Sequence, residues 1–440
     1  YSNTDSTGNI AIGYFALRQA SGGSSRDYNV AIGYDAIRNG NPHLSIAIGY
    51  SAGNYLKNGA TGAVHIGHEA GNYASASANT FMGYQAGKGG TTSAPYSTGE
   101  NNVAIGYQAL DAFTTGHSNV AVGKSALGSL TTGDYTTAVG LAAGSNVTNG
   151  RFNTFYGFNA GGNSNASHVV AIGYNVYGSG ASNKSYGVYI GSQAGRYDTS
   201  GEGTIAIGYN AVACDSGGGN NPSACIGIGN GALGGITGQA RSNIGIGGGA
   251  LGNVTNGEYN TAMGDSVGST LTTGDNNVII GKGADVSAAA GTNQIVIGQG
   301  ATGVGDNTAI IGNSSVTDVY MGDNGSTWST TSDGRLKENV EDWNVGLDAI
   351  NNLRIVSYNF KKDNPYKYNS EKKRQGIIAQ EAQKVLPEMI KDDGEWLSAN
   401  QEPMIWALVN SVKELTEKNE RLENKIKDLE IFIIDKLGEK

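Results

Sequence analysis

A four-residue word recurs through the first three quarters of this chain and restricts its fold more than any other feature. The word is apolar-small-apolar-glycine, as in Ile10-Ala11-Ile12-Gly13, Val30-Ala31-Ile32-Gly33, Ile46-Ala47-Ile48-Gly49 and Val64-His65-Ile66-Gly67. It returns as Val103-Ala104-Ile105-Gly106, Thr154-Phe155-Tyr156-Gly157, Ile205-Ala206-Ile207-Gly208, Val278-Ile279-Ile280-Gly281 and, last, Ala309-Ile310-Ile311-Gly312. Successive glycines stand about 17 residues apart, drifting between roughly 14 and 23, which is the period of a solenoid.

Within a word the residues flanking the small one share a face, so Ile and Val point one way and Ala the other. Each word is therefore a short strand buried on one side, and each coil buries only two or three aliphatic side chains. The glycine permits a turn or a positive φ. A small residue about three positions on, such as Ala16, Ala36, Ala52, Ala109 or Ala126, suits a crowded inner corner. Asn, Asp, Gly, Ser and Thr between words are turn residues, and the long gaps from Lys88 to Asn102 and from Ala213 to Ala224 read as loops pushed out from one edge. So thin a column needs stacking and self-association to close its core.

The repeat resembles the head domains of trimeric autotransporter adhesins, whose Asn-Ser-Val-Ala-Ile-Gly words lie on a left-handed parallel β-roll. The resemblance covers most of residues 1–322, about 18 coils, although the period here is longer and less regular. It implies a mostly β, trimeric fibre. A left-handed β-helix of hexapeptides is the runner-up, because Ile105-Gly106-Tyr107-Gln108-Ala109-Leu110 fits one hexad, but only one such hexad occurs per coil.

The pattern breaks at Ser332. All but five of the 70 glycines precede it, whereas more than half of the Asp, Glu, Lys and Arg lie in the last quarter. After a linker at 323–331, residues 332–403 carry α+β patterning. Helical spacing runs from Val345 to Leu353, and strand content covers Arg354 to Phe360 and Gly376 to Ile378. A short helix follows from Ala379 to Leu386, stopped by Pro387, then a hairpin around Lys391-Asp392-Asp393-Gly394-Glu395. Residues 404–440 form a heptad helix. Leu408, Val412, Leu415, Asn419, Leu422, Ile426, Leu429 and Ile433 alternate in steps of four and three, the a/d seam of a coiled coil, with Asn419 as the polar residue that fixes register. Charged flanks at Glu414, Lys418, Glu420, Arg421 and Lys425 favour association over packing of one amphipathic helix on its own domain.

Ser332-Asp333-Gly334-Arg335-Leu336-Lys337-Glu338-Asn339, then Gly376-Ile377-Ile378-Ala379-Gln380-Glu381, Leu386-Pro387-Glu388 and a terminal coiled coil together resemble the endosialidase-type intramolecular chaperone. That module ends many phage tail fibres and tailspikes, and a relative occurs in membrane-bound transcription factors that trimerise before self-cleavage. The resemblance spans 332–440 in order. It implies a three-stranded terminal coil and a cut just before the serine, at Thr331–Ser332. A serine hydroxyl is a weak nucleophile that needs an adjacent base. Lys337 serves only as the neutral amine, which requires burial. Asp333 follows the family pattern and either orients Lys337 or the attacked carbonyl, or caps the turn before Gly334. No sialidase-like domain precedes the module, so that activity is not implied.

Other signals carry less. The net charge of −9 shows no basic stripe, which argues against nucleic acid. No run of 18 or more apolar residues exists, so no membrane insertion is expected, and the first residues show no signal peptide. The chain begins within its repeat, so an upstream anchoring region is expected. For Cys214 and Cys225, free thiols are expected ahead of a disulfide. Gly123-Lys124-Ser125 lacks the upstream glycine of a phosphate loop, Ser118 standing in its place. His65 and His68 do not converge on a metal, and the Gly-Asp-Asn turns at 274–276 and 305–307 lack the spaced carboxylates of a calcium cage. No cofactor and no metal are expected. Tyrosines following the glycine (Tyr14, Tyr34, Tyr50, Tyr84, Tyr107, Tyr174, Tyr209) are expected to pack in a ladder ahead of forming a glycan-binding face.

The expectation is a homotrimeric tail fibre on a virion, made in the host cytoplasm, which contacts a host receptor (a glycan or an outer-surface protein) through its shaft. Its module would act as a single-turnover Ser/Lys autoprotease. A cellular surface adhesin carrying the same module, or a fibre whose chaperone stays uncut, is the alternative. A depolymerase lacks any paired-carboxylate word in the repeat.

Overall fold

The computed structural model describes residues 7–18, 27–94, 96–162, 165–177, 185–198, 202–214, 222–316, 333–363, 370–392, 394 and 396–438. The chain divides into two units, Tyr1–Asn313 and Ser314–Lys440, each taken by itself. The expected linker at 323–331 and the Thr331–Ser332 bond lie outside the described residues.

The first unit is a parallel β-solenoid. Every repeated word is a three-residue strand, from β1 (Ile10–Ile12) to β18 (Ala309–Ile311), and the eighteen form one parallel sheet in chain order. Register is strict: Ile10 pairs with Val30 and Ala11 with Ala31, and Ile295 pairs with Ala309. At the usual spacing of neighbouring strands the column is about 80 Å long. The glycine after each strand stacks on the glycine of the next coil. Gly106 has φ +134°, and a Cβ there would meet the Gly123 carbonyl oxygen at 2.6 Å. Close backbone approach, as well as the turn, excludes any side chain at that position.

From β2 to β17 the buried side of the strand is that of its central residue. Ala31, Ala47, Ala104, Ala121 and Ala138 are fully buried, whereas the flanking residues are half-buried or exposed, Ile105 at 37% and Met263 at 48%. This corrects the expectation that the aliphatic pair of each word fills the core. The reason is volume. The lumen is shared by the strand's central residue and the residue six positions later, and their sizes compensate. Alanine or glycine in the strand faces a large residue, as in Ala31/Ile37, Ala104/Leu110, Ala121/Leu127 and Gly227/Leu233. An aromatic ring in the strand faces glycine, as in His65/Gly71, Phe81/Gly87, Phe155/Gly161 and Tyr189/Gly195. Where both are small, as in Ala138/Gly144, Leu127 and Phe155 of the adjacent coils fill the space. Close packing leaves no room for Ile and Val as well.

Leu110 and Leu127 reach the lumen from left-handed backbone, at φ 52° and 50°. That conformation costs about 1–2 kcal/mol per residue. Stacking holds it, because Leu110 N–H donates to the Ala126 carbonyl and Leu127 N–H to that of Ala143, both at 2.9 Å.

A second ladder runs through the residue before the strand in two stretches of the column. Asn102 Oδ1 accepts the Asn119 N–H at 3.0 Å and Asn119 Oδ1 accepts the Thr136 N–H at 2.9 Å. Their Nδ2 groups donate to the Gly116 and Gly133 carbonyls at 2.9 and 2.8 Å. Asn243, Asn260, Asn277 and Gln294 continue the pattern further along. Each buried amide therefore satisfies backbone groups that no strand ladder reaches.

Of the two long excursions, residues 88–102 fold back on the column, where Tyr96 packs on Tyr55 at 4.3 Å between ring centroids. Cys214 and Cys225 are buried free thiols, and burial pushes Cys225 up to about 12, so neither is a ready thiolate. His65 is fully buried against Phe81, with both ring nitrogens unpartnered, while His68 lies outside between Tyr50 and Tyr84.

The second unit is a small α+β assembly. Helix α1 (Leu347–Asn352) is followed by strand β19 (Val356–Tyr358), antiparallel to β20 (Arg374–Gly376), and by the short helix α2 (Ala379–Ala382). A hairpin of β21 (Ile390–Asp392) and β22 (Leu397–Ala399) leads into α3 (Glu402–Gly438). Its buried side chains are few: Ala349, Ala382, Leu386, Met389, Ala407 and Ser411.

Candidate functional site

The sequence places the chemistry at residues 331–337, and the described part of that segment is a short turn. Gly334–Leu336 form one turn of 3-10 helix, which Asp333 opens in the manner of a cap. Asp333 Oδ1 accepts the Arg335 N–H at 2.9 Å, and the Asp333 carbonyl accepts the Leu336 N–H at 3.0 Å. Its carboxylate also pairs with the Arg335 guanidinium, Nε to Oδ2 being 3.0 Å, and those hydrogen bonds hold it below the usual carboxylate range. In this arrangement Asp333 serves Arg335 and the turn. Thr331 and Ser332, the expected scissile pair and nucleophile, lie outside the described residues. Asp333 and Lys337 therefore flank the one turn Gly334–Leu336, and the dyad itself is not displayed.

Lys337 is exposed, and two apolar neighbours are exposed with it, Leu336 at 74% and Val340 at 79%. A neutral lysine amine requires burial. Among the described residues Lys337 is left exposed, and the uncovered Leu336 and Val340 supply a reason for another surface to close over the segment.

Helix α3 shows how the module divides its surface. Asn410 Nδ2 donates to the Trp343 carbonyl at 2.7 Å and the Val345 carbonyl at 3.1 Å, and Glu414 accepts the Leu347 N–H at 3.3 Å. Together with buried Ala407 and Ser411, these make the face that packs on the module's own residues. Leu408, Val412, Leu415, Leu422, Ile426, Leu429 and Ile433 lie on a different face and are exposed. Sequence reasoning missed Asn410 and read Glu414 as a charged flank of the seam, whereas both bond to residues more than sixty positions upstream.

Among the described residues no three His, Cys, Asp or Glu side chains converge as a metal site, and no helix is long and apolar enough to cross a membrane. Lys124, within the sequence that imitates a phosphate loop, lies with its ammonium 5.6 Å from the centroid of the Tyr107 ring.

Comparison with known proteins bears on the second unit. Residues 332–391 match the family described as chaperone of endosialidase. Over 114 residues, 24% of this chain, the sequence is 31% identical to Myelin regulatory factor homolog 1 of Caenorhabditis elegans, and the match spans 12% of that protein's length. The family match identifies an intramolecular chaperone module and, at the level of the family, implies autoproteolytic serine peptidase activity. A parallel β-solenoid followed by a chaperone-of-endosialidase domain at residues 332–391 is an arrangement that fits a tail-fibre or endosialidase-type protein.

Proposed function

We propose that this chain is the subunit of a homotrimeric virion tail fibre, whose solenoid contacts a host surface and whose C-terminal module aligns the chains and then cuts itself away. The observation that carries this reading is the start of the family match at Ser332, separated by twenty residues from the last strand of the repeat. Self-association is supported by two uncovered apolar surfaces. One is the outer face of the eighteen strands, mostly Ile and Val but interrupted by Thr80, Thr137, Thr154 and Thr261; the other is the α3 seam. Local helical association is fast and long-range β stacking slow, so the seam would bring the chains into register first.

The cleavage step follows from the residues. Ser332 Oγ attacks the Thr331 carbonyl carbon while the neutral Lys337 amine takes the hydroxyl proton and passes it to the departing amide nitrogen. Water then hydrolyses the resulting ester. Because Lys337 is exposed in one chain, the site is primed only when another surface covers it together with Leu336 and Val340. Cleavage is thereby made conditional on assembly and occurs once per chain. The freed shaft is afterwards kept folded by its unfolding barrier.

One observation favours a second reading of the strand number. The seam carries Val412, Asn419, Ile426 and Ile433 at a, with Leu408, Leu415, Leu422 and Leu429 at d, and β-branched a with Leu at d in isolated parallel helices favours two strands. Three strands are then imposed by the shaft. Denaturing intact mass of the purified chain beside Lys337→Ala and Ser332→Ala tests the processing: two wild-type fragments meeting at Thr331–Ser332 are expected, with both variants whole. A whole wild-type chain, or a cut Ser332→Ala chain, overturns it. Native mass of the uncut Ser332→Ala protein counts the subunits.

A further inference from the structure

Tyr14, Tyr34, Tyr50, His68, Tyr84 and Tyr107 follow the strand glycine in six successive coils and stack into one column. Their ring centroids are 5.4, 5.5, 5.0, 5.0 and 5.0 Å apart, and the planes lie within 21° of parallel. The rings are nonetheless exposed, Tyr84 at 42% and Tyr14 at 62%. In such a stack each inner ring has both faces covered by its neighbours, so the accessible part is ring edge and phenol hydroxyl. A ligand cannot lie flat on these faces; it can meet a comb of five phenol hydroxyls, with the His68 imidazole edge as the sixth rung. Beside the comb runs a row of amide and carboxylate groups. Gln108 Nε2 donates to Gln85 Oε1 at 2.9 Å, and Gln85 Nε2 to Glu69 Oε2 at 2.7 Å.

The sheet sets the repeat of this surface, at about 4.8 Å per coil. A partner reading it rung by rung must be extended, must repeat at nearly that distance and must be rich in hydroxyls. A peptide strand advances about 3.3 Å per residue and alternates its side chains, so it falls out of step. A nucleic acid would meet an acidic protein without a basic stripe. An extended β-1,4-linked glycan advances one pyranose ring at close to the strand spacing and, although successive rings are turned over, each offers hydroxyls on both edges. We propose that the column from Tyr14 to Tyr107 is a track for an extended, neutral, β-1,4-linked glycan lying along the solenoid axis, one sugar per coil. This deepens the reading of the shaft as a surface-contacting fibre and rests on it for its biological role. Individual contacts are weak, and affinity accrues because each sugar bound places the next beside its rung.

The test uses the full chain and soluble β-1,4-linked gluco-oligosaccharides and N-acetylgluco-oligosaccharides of two to six sugars, with binding followed by titration calorimetry. Affinity for at least one series is expected to rise with each added sugar. The triple variant Tyr34→Phe, Tyr50→Phe, Tyr84→Phe keeps the stack and removes three hydroxyls. It should bind the hexamer about tenfold to a hundredfold more weakly with an unchanged melting temperature, whereas Tyr174→Phe, outside the column, should bind as wild type does. No binding of either series, affinity independent of length, or full affinity in the triple variant each overturns the proposal. Adsorption of the protein to bacterial cells is measured separately, so a shaft that binds sugar without binding cells fails the fibre reading and leaves the track standing.

Discussion

Removing one rung of the asparagine ladder, with Asn260→Ala, tests whether buried amides hold the coils together. Asn260 Oδ1 accepts the Asn277 N–H at 3.0 Å, and its Nδ2 donates to the Gly274 carbonyl at 2.9 Å. Alanine deprives both of those backbone groups of a partner in a site closed to water. The two side chains above and below keep other bonds, since Asn243 Oδ1 still accepts the Asn260 N–H and Asn277 Nδ2 still donates to the Gly291 carbonyl. Two orphaned buried groups at about 1–3 kcal/mol each give about 2–6 kcal/mol. In a solenoid each coil touches its neighbours, so the loss stays local. Native-state hydrogen exchange on the full chain should show the amides from Gly257 to Ile280 exchanging about 30-fold faster or more. Amides near Asn102 should be unaffected. Unchanged exchange at Asn277, or equal acceleration along the whole column, would refute the reasoning.

Three further outcomes follow from the same structure. Burial pushes the His65 imidazole down to about 3, so the unfolded chain binds the proton first and stability falls as pH drops from about 6.5 towards 3, by up to about 5 kcal/mol. His65→Phe, matching Phe81 in the next coil, should abolish that slope, read as the difference between urea midpoints at pH 7 and pH 4. Gly106→Ala forces a Cβ against the Gly123 carbonyl at φ +134° and should cost about 3 kcal/mol or more, seen as a lowered melting temperature. Leu422→Asp places a charge on the exposed α3 seam; sedimentation should show weakened association with the strand signal in circular dichroism retained, and unweakened association would remove the seam from the assembly.

Periodicity was enough to place most of the eighteen strands, because a glycine that admits no Cβ must recur wherever coils stack, and the word around it alternates as a strand must. The heptads of α3 were equally legible, since their spacing is local. What a single word could not show is which of its faces points inward. Ile-Ala-Ile alternates identically either way, and only the lumen, shared between residues six apart such as Ala104 and Leu110 or Phe81 and Gly87, turns alanine in and isoleucine out. The asparagines before the strands resembled turn residues for the same reason: their partners, 17 residues away, become neighbours only after the coil closes. His68 reads as an isolated histidine in sequence and becomes a rung between Tyr50 and Tyr84 only in register. The sequence by itself thus determined the period, most strand positions, the module and the long terminal helix, all set by local spacing. The tertiary structure decided which surfaces are core and which are free, because that depends on volume and hydrogen bonding between coils that no local pattern contains.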